Sequence, residues 1–77
     1  MDFTKPINPS KHFRNTWMRN WDWDMNDLRS ALVNAYKIDK AGANKYEAYV
    51  RKGGKSRKII FAIIEDETFI ITGSEKT

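Results

Sequence analysis

The chain has 77 residues, 14 Lys and Arg against 10 Asp and Glu, a net charge of +4, one histidine and no cysteine. One domain of this size buries only about 60% of its unfolded surface, and without thiols it has neither disulfides nor a thiolate metal centre to brace it. Packing must hold it, and three Trp, three Tyr and four Phe supply the apolar area.

No apolar run approaches the roughly 20 residues that span a bilayer, and the opening residues lack the basic-then-apolar order of a secretory signal. A cytoplasmic protein with no membrane partner, no metal and no cofactor is the expectation. Residues 1–9 read as an irregular lead-in, because Pro6 and Pro9 both disfavour helix before them. A single α+β domain is expected over 10–77.

Ser10 is placed to cap a helix over about 11–20. There Phe13, Trp17 and Trp21 recur at helical spacing as one apolar stripe, while His12, Thr16 and Arg19 fall opposite. Trp17 and Trp21 read as core. Trp23 fits no stripe and is expected to be partly exposed. Asp24 then caps a second helix over 25–35, with Asp27 adding favourable charge to its first turn. The group Asp22, Asp24 and Asp27 lacks the spacing and glycine of a calcium loop.

From Tyr36 onward the pattern alternates with period two. Strands are predicted over 36–40, 45–52, 57–65 and 68–72, joined by turns at 41–44, 53–56 and 66–67. Short connections imply an antiparallel meander. The third strand is apolar on both faces and therefore central. The expected fold is two helices packed on one face of a four-stranded antiparallel sheet, in the order α-α-β-β-β-β.

Charge is concentrated at one hairpin, where five cations stand in the eight residues from Arg51 to Lys58. Such a focus points to a polyanion partner, although lysine-rich hairpin ends also serve solubility and discourage edge pairing. With a four-residue loop, Lys52 opposes Arg57, Arg51 opposes Lys58 and Val50 opposes Ile59. Tyr46, Ala48 and Val50 then share a core face with Ile59, Phe61 and Ile63, and Glu47, Tyr49, Arg51 and Lys58 share the other.

A carboxylate, a phenol, a guanidinium and an ammonium together suit phosphodiester chemistry. Cations stabilise charge developing on phosphorus, a Glu or His moves protons, and a Tyr stacks on a base. Cross-strand charge and aromatic pairs also stabilise exposed sheet faces for purely structural reasons. His12, as the lone imidazole, reads either as an acid–base group or as a solvated first-turn residue. Arg19, Lys52, Lys55 and Arg57 are the remaining cations expected to grip nucleic acid.

Lys11-His12-Phe13-Arg14, the Asp27–Leu32 run Asp-Leu-Arg-Ser-Ala-Leu, Lys45-Tyr46-Glu47-Ala48-Tyr49 and Ile70-Ile71-Thr72-Gly73 together resemble a family. It is the short branch, with no assigned function, of the RelE/ParE/BrnT toxin-like superfamily. The resemblance covers about residues 11–74. It implies an RNA-binding protein, a metal-independent endoribonuclease toxin of a toxin–antitoxin module that works on ribosome-bound message by attack of the 2′-hydroxyl on the adjacent phosphate. On that reading Arg51 and Lys58 hold the phosphate, and Tyr49, Glu47 or His12 handle protons or stack. Thr16 and Asn20 stand where the family's first helix often carries arginine, and the C-terminal helix of longer relatives is missing. The alternative is a non-catalytic module, monomeric or a small homo-oligomer, that docks an acidic or antitoxin-like protein.

Overall fold

The computed structural model describes residues 2–76. It is an α+β fold of two helices on one face of a five-stranded mixed sheet. Strand β1 spans Ile7–Pro9, β2 Lys37–Lys40, β3 Lys45–Lys52, β4 Lys55–Ile64 and β5 Glu67–Lys76, in the spatial order β1-β5-β4-β3-β2.

The lead-in is where this departs from the expected four-stranded antiparallel sheet. Residues 7–9 form β1, paired parallel to β5 with Ile7 beside Thr68 and Pro9 beside Ile70. Proline lacks the N–H of a ladder and is tolerated on an edge strand, which is where Pro9 lies. Phe3 and Ile7 are buried in the core, so this segment is part of the packed domain. The order is therefore β-α-α-β-β-β-β.

Ser10 joins sheet to helix. Its hydroxyl accepts from the Phe13 N–H at 3.0 Å, as a helix-capping side chain does, and donates to the Ile71 carbonyl at 2.9 Å. Helix α1, over 11–21, contains a π-helical segment Phe13–Met18 followed by an α-helical end Arg19–Trp21. The wider π turn puts residues five apart on one side, so Phe13 and Met18 are both buried. Asp22 ends the helix in the left-handed region at φ 57°.

Helix α2 spans Met25–Val33 and opens on a reciprocal cap. The Asp27 N–H donates to Asp24 Oδ1 at 2.9 Å, and the Asp24 N–H donates to Asp27 Oδ2 at 3.0 Å. Leu28, Ala31 and Leu32 face the core. The helix stops at Val33, where the Asn34 side chain caps the Ser30 carbonyl at 2.9 Å.

The β3–β4 turn is two residues, Gly53 and Gly54, both at positive φ (62° and 79°). This is the mirror-image turn that matches strand twist and that glycine adopts without steric cost. The expected four-residue loop is thereby replaced, and every partner moves by two. Val50 opposes Arg57, Tyr49 opposes Lys58 and Ala48 opposes Ile59. A shift of two leaves the faces unchanged, so the expected core face survives. A second two-residue turn uses Glu65 and Asp66 at φ 50° and 67°. Opposite Ile60 and Phe61 the β5 register shifts, leaving Ile71 without a partner in β4, and β5 runs on to Lys76, past the expected end at 72.

Candidate nucleic-acid interface

One face of the sheet is covered by α1 and α2; the other is open. Cross-strand partners point the same way, so the open face carries Lys37 and Asp39 from β2, Glu47, Tyr49 and Arg51 from β3, and Lys58 and Ile60 from β4. Lys37 was not among the expected site residues, because its place depends on β2 pairing with β3 in a register that sets it beside Tyr49.

Glu47 is the hub. Lys58 Nζ lies 3.1 Å from its Oε1, and the Tyr49 hydroxyl donates to the same oxygen at 3.5 Å. Both members of the Glu47–Lys58 pair are partly shielded, with side chains 27% and 29% exposed. Next to them, Lys37 Nζ sits 5.5 Å from the Tyr49 ring centroid and pairs with Asp39 at 3.4 Å. Tyr36 extends the cluster: its ring lies 6.4 Å from that of Tyr49, and the Arg51 guanidinium carbon is 5.8 Å from it. Tyr36, too, was not among the expected site residues. Its backbone N–H, which donates to the Tyr49 carbonyl at 3.0 Å, is what brings the two rings together.

Glu47, Tyr49, Arg51 and Lys58 are thus gathered as expected. His12 is not gathered with them. It is exposed on α1 and contacts Thr72 Oγ1 at 3.2 Å. Thr72 pairs with Ile60, which pairs with Glu47, so two strand spacings, about 9.6 Å, separate the backbones of β5 and β3 in that row.

The four cations expected to grip nucleic acid scatter. Lys52 points to the helix side, where its Nζ pairs with Asp27 at 3.3 Å. Arg57 is buried, 8% exposed, with its guanidinium carbon 4.8 Å from the Trp21 ring centroid and 5.5 Å from that of Trp23. That placement follows from the two-residue turn, which sets Arg57 opposite core residue Val50, and it removes Arg57 from the open face. Trp23, expected partly exposed, is buried against Trp21 and Arg57. Arg19 and Lys55 stay exposed, away from the tyrosines.

Among the described residues no group of three His, Cys, Asp or Glu is arranged to hold a metal ion, and no helix is long and apolar enough to cross a membrane. Neither protein-family models, nor curated proteins, nor solved structures match this chain.

Proposed function

We propose that this protein binds single-stranded RNA across the open face of its sheet. The carrying observation is the pair of neighbouring tyrosine rings, Tyr36 and Tyr49, each with a cation against it. Unpaired bases stack on such rings with little regard to sequence, and flanking Arg and Lys engage the phosphates between them. Tyr36, at 56% exposure, is the more open platform.

The same face supports metal-independent cleavage of the kind implied by the RelE/ParE/BrnT resemblance. Glu47 would take the proton of a 2′-hydroxyl, the 2′-oxygen would attack phosphorus, and the bond to the 5′-oxygen would break. Tyr49 would return a proton to that leaving oxygen, and Lys58 and Arg51 would stabilise the charge on the phosphate. The products are a 2′,3′-cyclic phosphate and a 5′-hydroxyl.

The test is fluorescence anisotropy with an unstructured labelled RNA in EDTA, followed by gel analysis of the same mixture. Binding that weakens steeply with salt and falls on Tyr36→Ala or Arg51→Ala supports the reading. Binding without cleavage removes the catalytic part alone. A flat salt response removes nucleic acid altogether.

A second reading rests on Ile64 and Phe69, 49% and 36% exposed, which lie on the open face beyond the charged cluster. Exposed apolar surface on the same face as the charged cluster also suits an acidic or antitoxin-like protein partner. Stoichiometric capture of such a protein, with no RNA affinity, would replace the first reading.

A further inference from the structure

On the helix side of the sheet, opposite the tyrosines, a cleft of about 340 Å³ opens beside the β3–β4 turn. Its walls include Trp21, Trp23 and Arg57, and its mouth includes Lys55 and Asp22. Arg57 is more than nine-tenths buried, yet its hydrogen-bonding capacity is mostly unused. Among the described residues its Nε has no partner, and Nη1 makes one long bond, 3.5 Å, to the Lys52 carbonyl. Among the described residues no carboxylate pairs with it. Glu75, its cross-strand neighbour, instead accepts from the Trp21 indole N–H at 2.9 Å.

The two indole faces offset part of the cost of burying this cation, but they satisfy none of its N–H donors. A guanidinium carries five donors in a planar fork that matches the oxygens of a carboxylate or phosphate. The rest of the cleft is electrostatically simple. Asp27 and Lys52 neutralise one another, which leaves Arg57 and Lys55 against Asp22 in the lining, while Glu75 stands outside the lining on the Trp21 indole N–H. The lining itself carries one net positive charge, which suits a singly charged oxyanion.

The geometry points to a binding site for a small monoanionic oxyanion, a phosphate ester or a carboxylate, held by Arg57 and Lys55 beside the packed Trp21 and Trp23 indoles. The site is independent of the open face: it takes no residue from the tyrosine cluster and faces the other way.

Two-dimensional NMR of the indole N–H and arginine Nε–H signals tests it directly. The protein at low ionic strength is titrated with dimethyl phosphate in one arm and acetate in another, with sodium chloride as the ionic-strength control. Saturable shifts of the Trp21, Trp23 and Arg57 signals in either oxyanion arm, with Trp17 unmoved, are expected, and the tighter arm identifies the ligand. Lys55→Ala, at an exposed position, should weaken binding several-fold with an unchanged spectrum in the free protein. Arg57→Lys keeps the charge but loses the fork and should weaken it at least tenfold. Shifts that chloride reproduces, the absence of saturable shifts in both arms, or an affinity unchanged by Lys55→Ala would each overturn the assignment.

Discussion

Gly73 lies directly beneath Trp21 where helix α1 meets the sheet. A Cβ built on Gly73 would lie 2.9 Å from Trp21 Cη2, 3.1 Å from Phe13 Cε1 and 3.2 Å from the Lys58 carbonyl oxygen. The absent side chain is what lets α1 approach β5 this closely, because each of those three atoms is itself fixed by buried packing or by the ladder.

Gly73→Ala should therefore destabilise the fold by about 1–3 kcal/mol, the usual cost of forcing a methyl group into a filled core. Gly42→Ala is the control: its added Cβ would meet only Lys45 Cβ at an ordinary 3.6 Å. Urea unfolding of both variants measures the contrast. Equal midpoints for the two would mean that α1 is free to lift from the sheet.

The β3–β4 turn offers a second test. Gly53 and Gly54 have open space around them but hold positive φ, so the penalty for a side chain is one of backbone conformation alone. Alanine at either position should cost about 1–2 kcal/mol, and asparagine markedly less. A glycine-to-alanine change without effect would be incompatible with this two-residue turn and the register it sets.

Asp27 carries a pH signature. The Asp24 N–H holds its carboxyl below the ordinary 3.8, with help from Lys52 and against a smaller opposing effect of partial burial. A group lowered on folding favours the fold when ionised, so its contribution is present above about pH 4 and is lost as pH falls through the folded value. Asp2, lowered by its bonds to Thr4, acts in the same window. Asp27→Asn should flatten the acid limb of a stability-against-pH curve without abolishing it. An unaltered limb would show that the reciprocal cap does not hold in solution.

Binding and chemistry separate at Glu47. Its carboxylate lies among the cations of the open face and engages Lys58. Glu47→Gln should therefore tighten RNA binding about two- to five-fold and at the same time remove any cleavage. Arg51→Ala should weaken binding and lower the slope of log affinity against log salt by about one. A Glu47→Gln variant that still cleaves RNA at the original rate would exclude Glu47 as the base.

Much of this arrangement is legible in the residues. The capping pair Asp24 and Asp27, the core face of β3 and the gathering of Glu47, Tyr49, Arg51 and Lys58 follow from periodicity and from the fact that a two-residue shift preserves faces. Arg57 shows the limit. Its type marks it as a surface cation, and only the loop length places it opposite Val50, under two indoles. β1 escapes for a different reason: a three-residue strand that follows one proline and ends on another carries too little pattern, and its partner lies across the whole chain. Tyr36 gains its role only from that long-range placement too, beside Tyr49 and Arg51.

The parallel pairing of Ile7–Pro9 with Thr68–Ile70 also has a temporal consequence during synthesis. β1 has no hydrogen-bonding mate until β5 has been synthesised. Until then Phe3 and Ile7 have no finished core to enter. Contacts of such separation are slow to close, so the domain should complete its fold only after release of β5. Until that point the nascent chain would show an apolar segment around Phe3 and Ile7 that a holding chaperone can recognise.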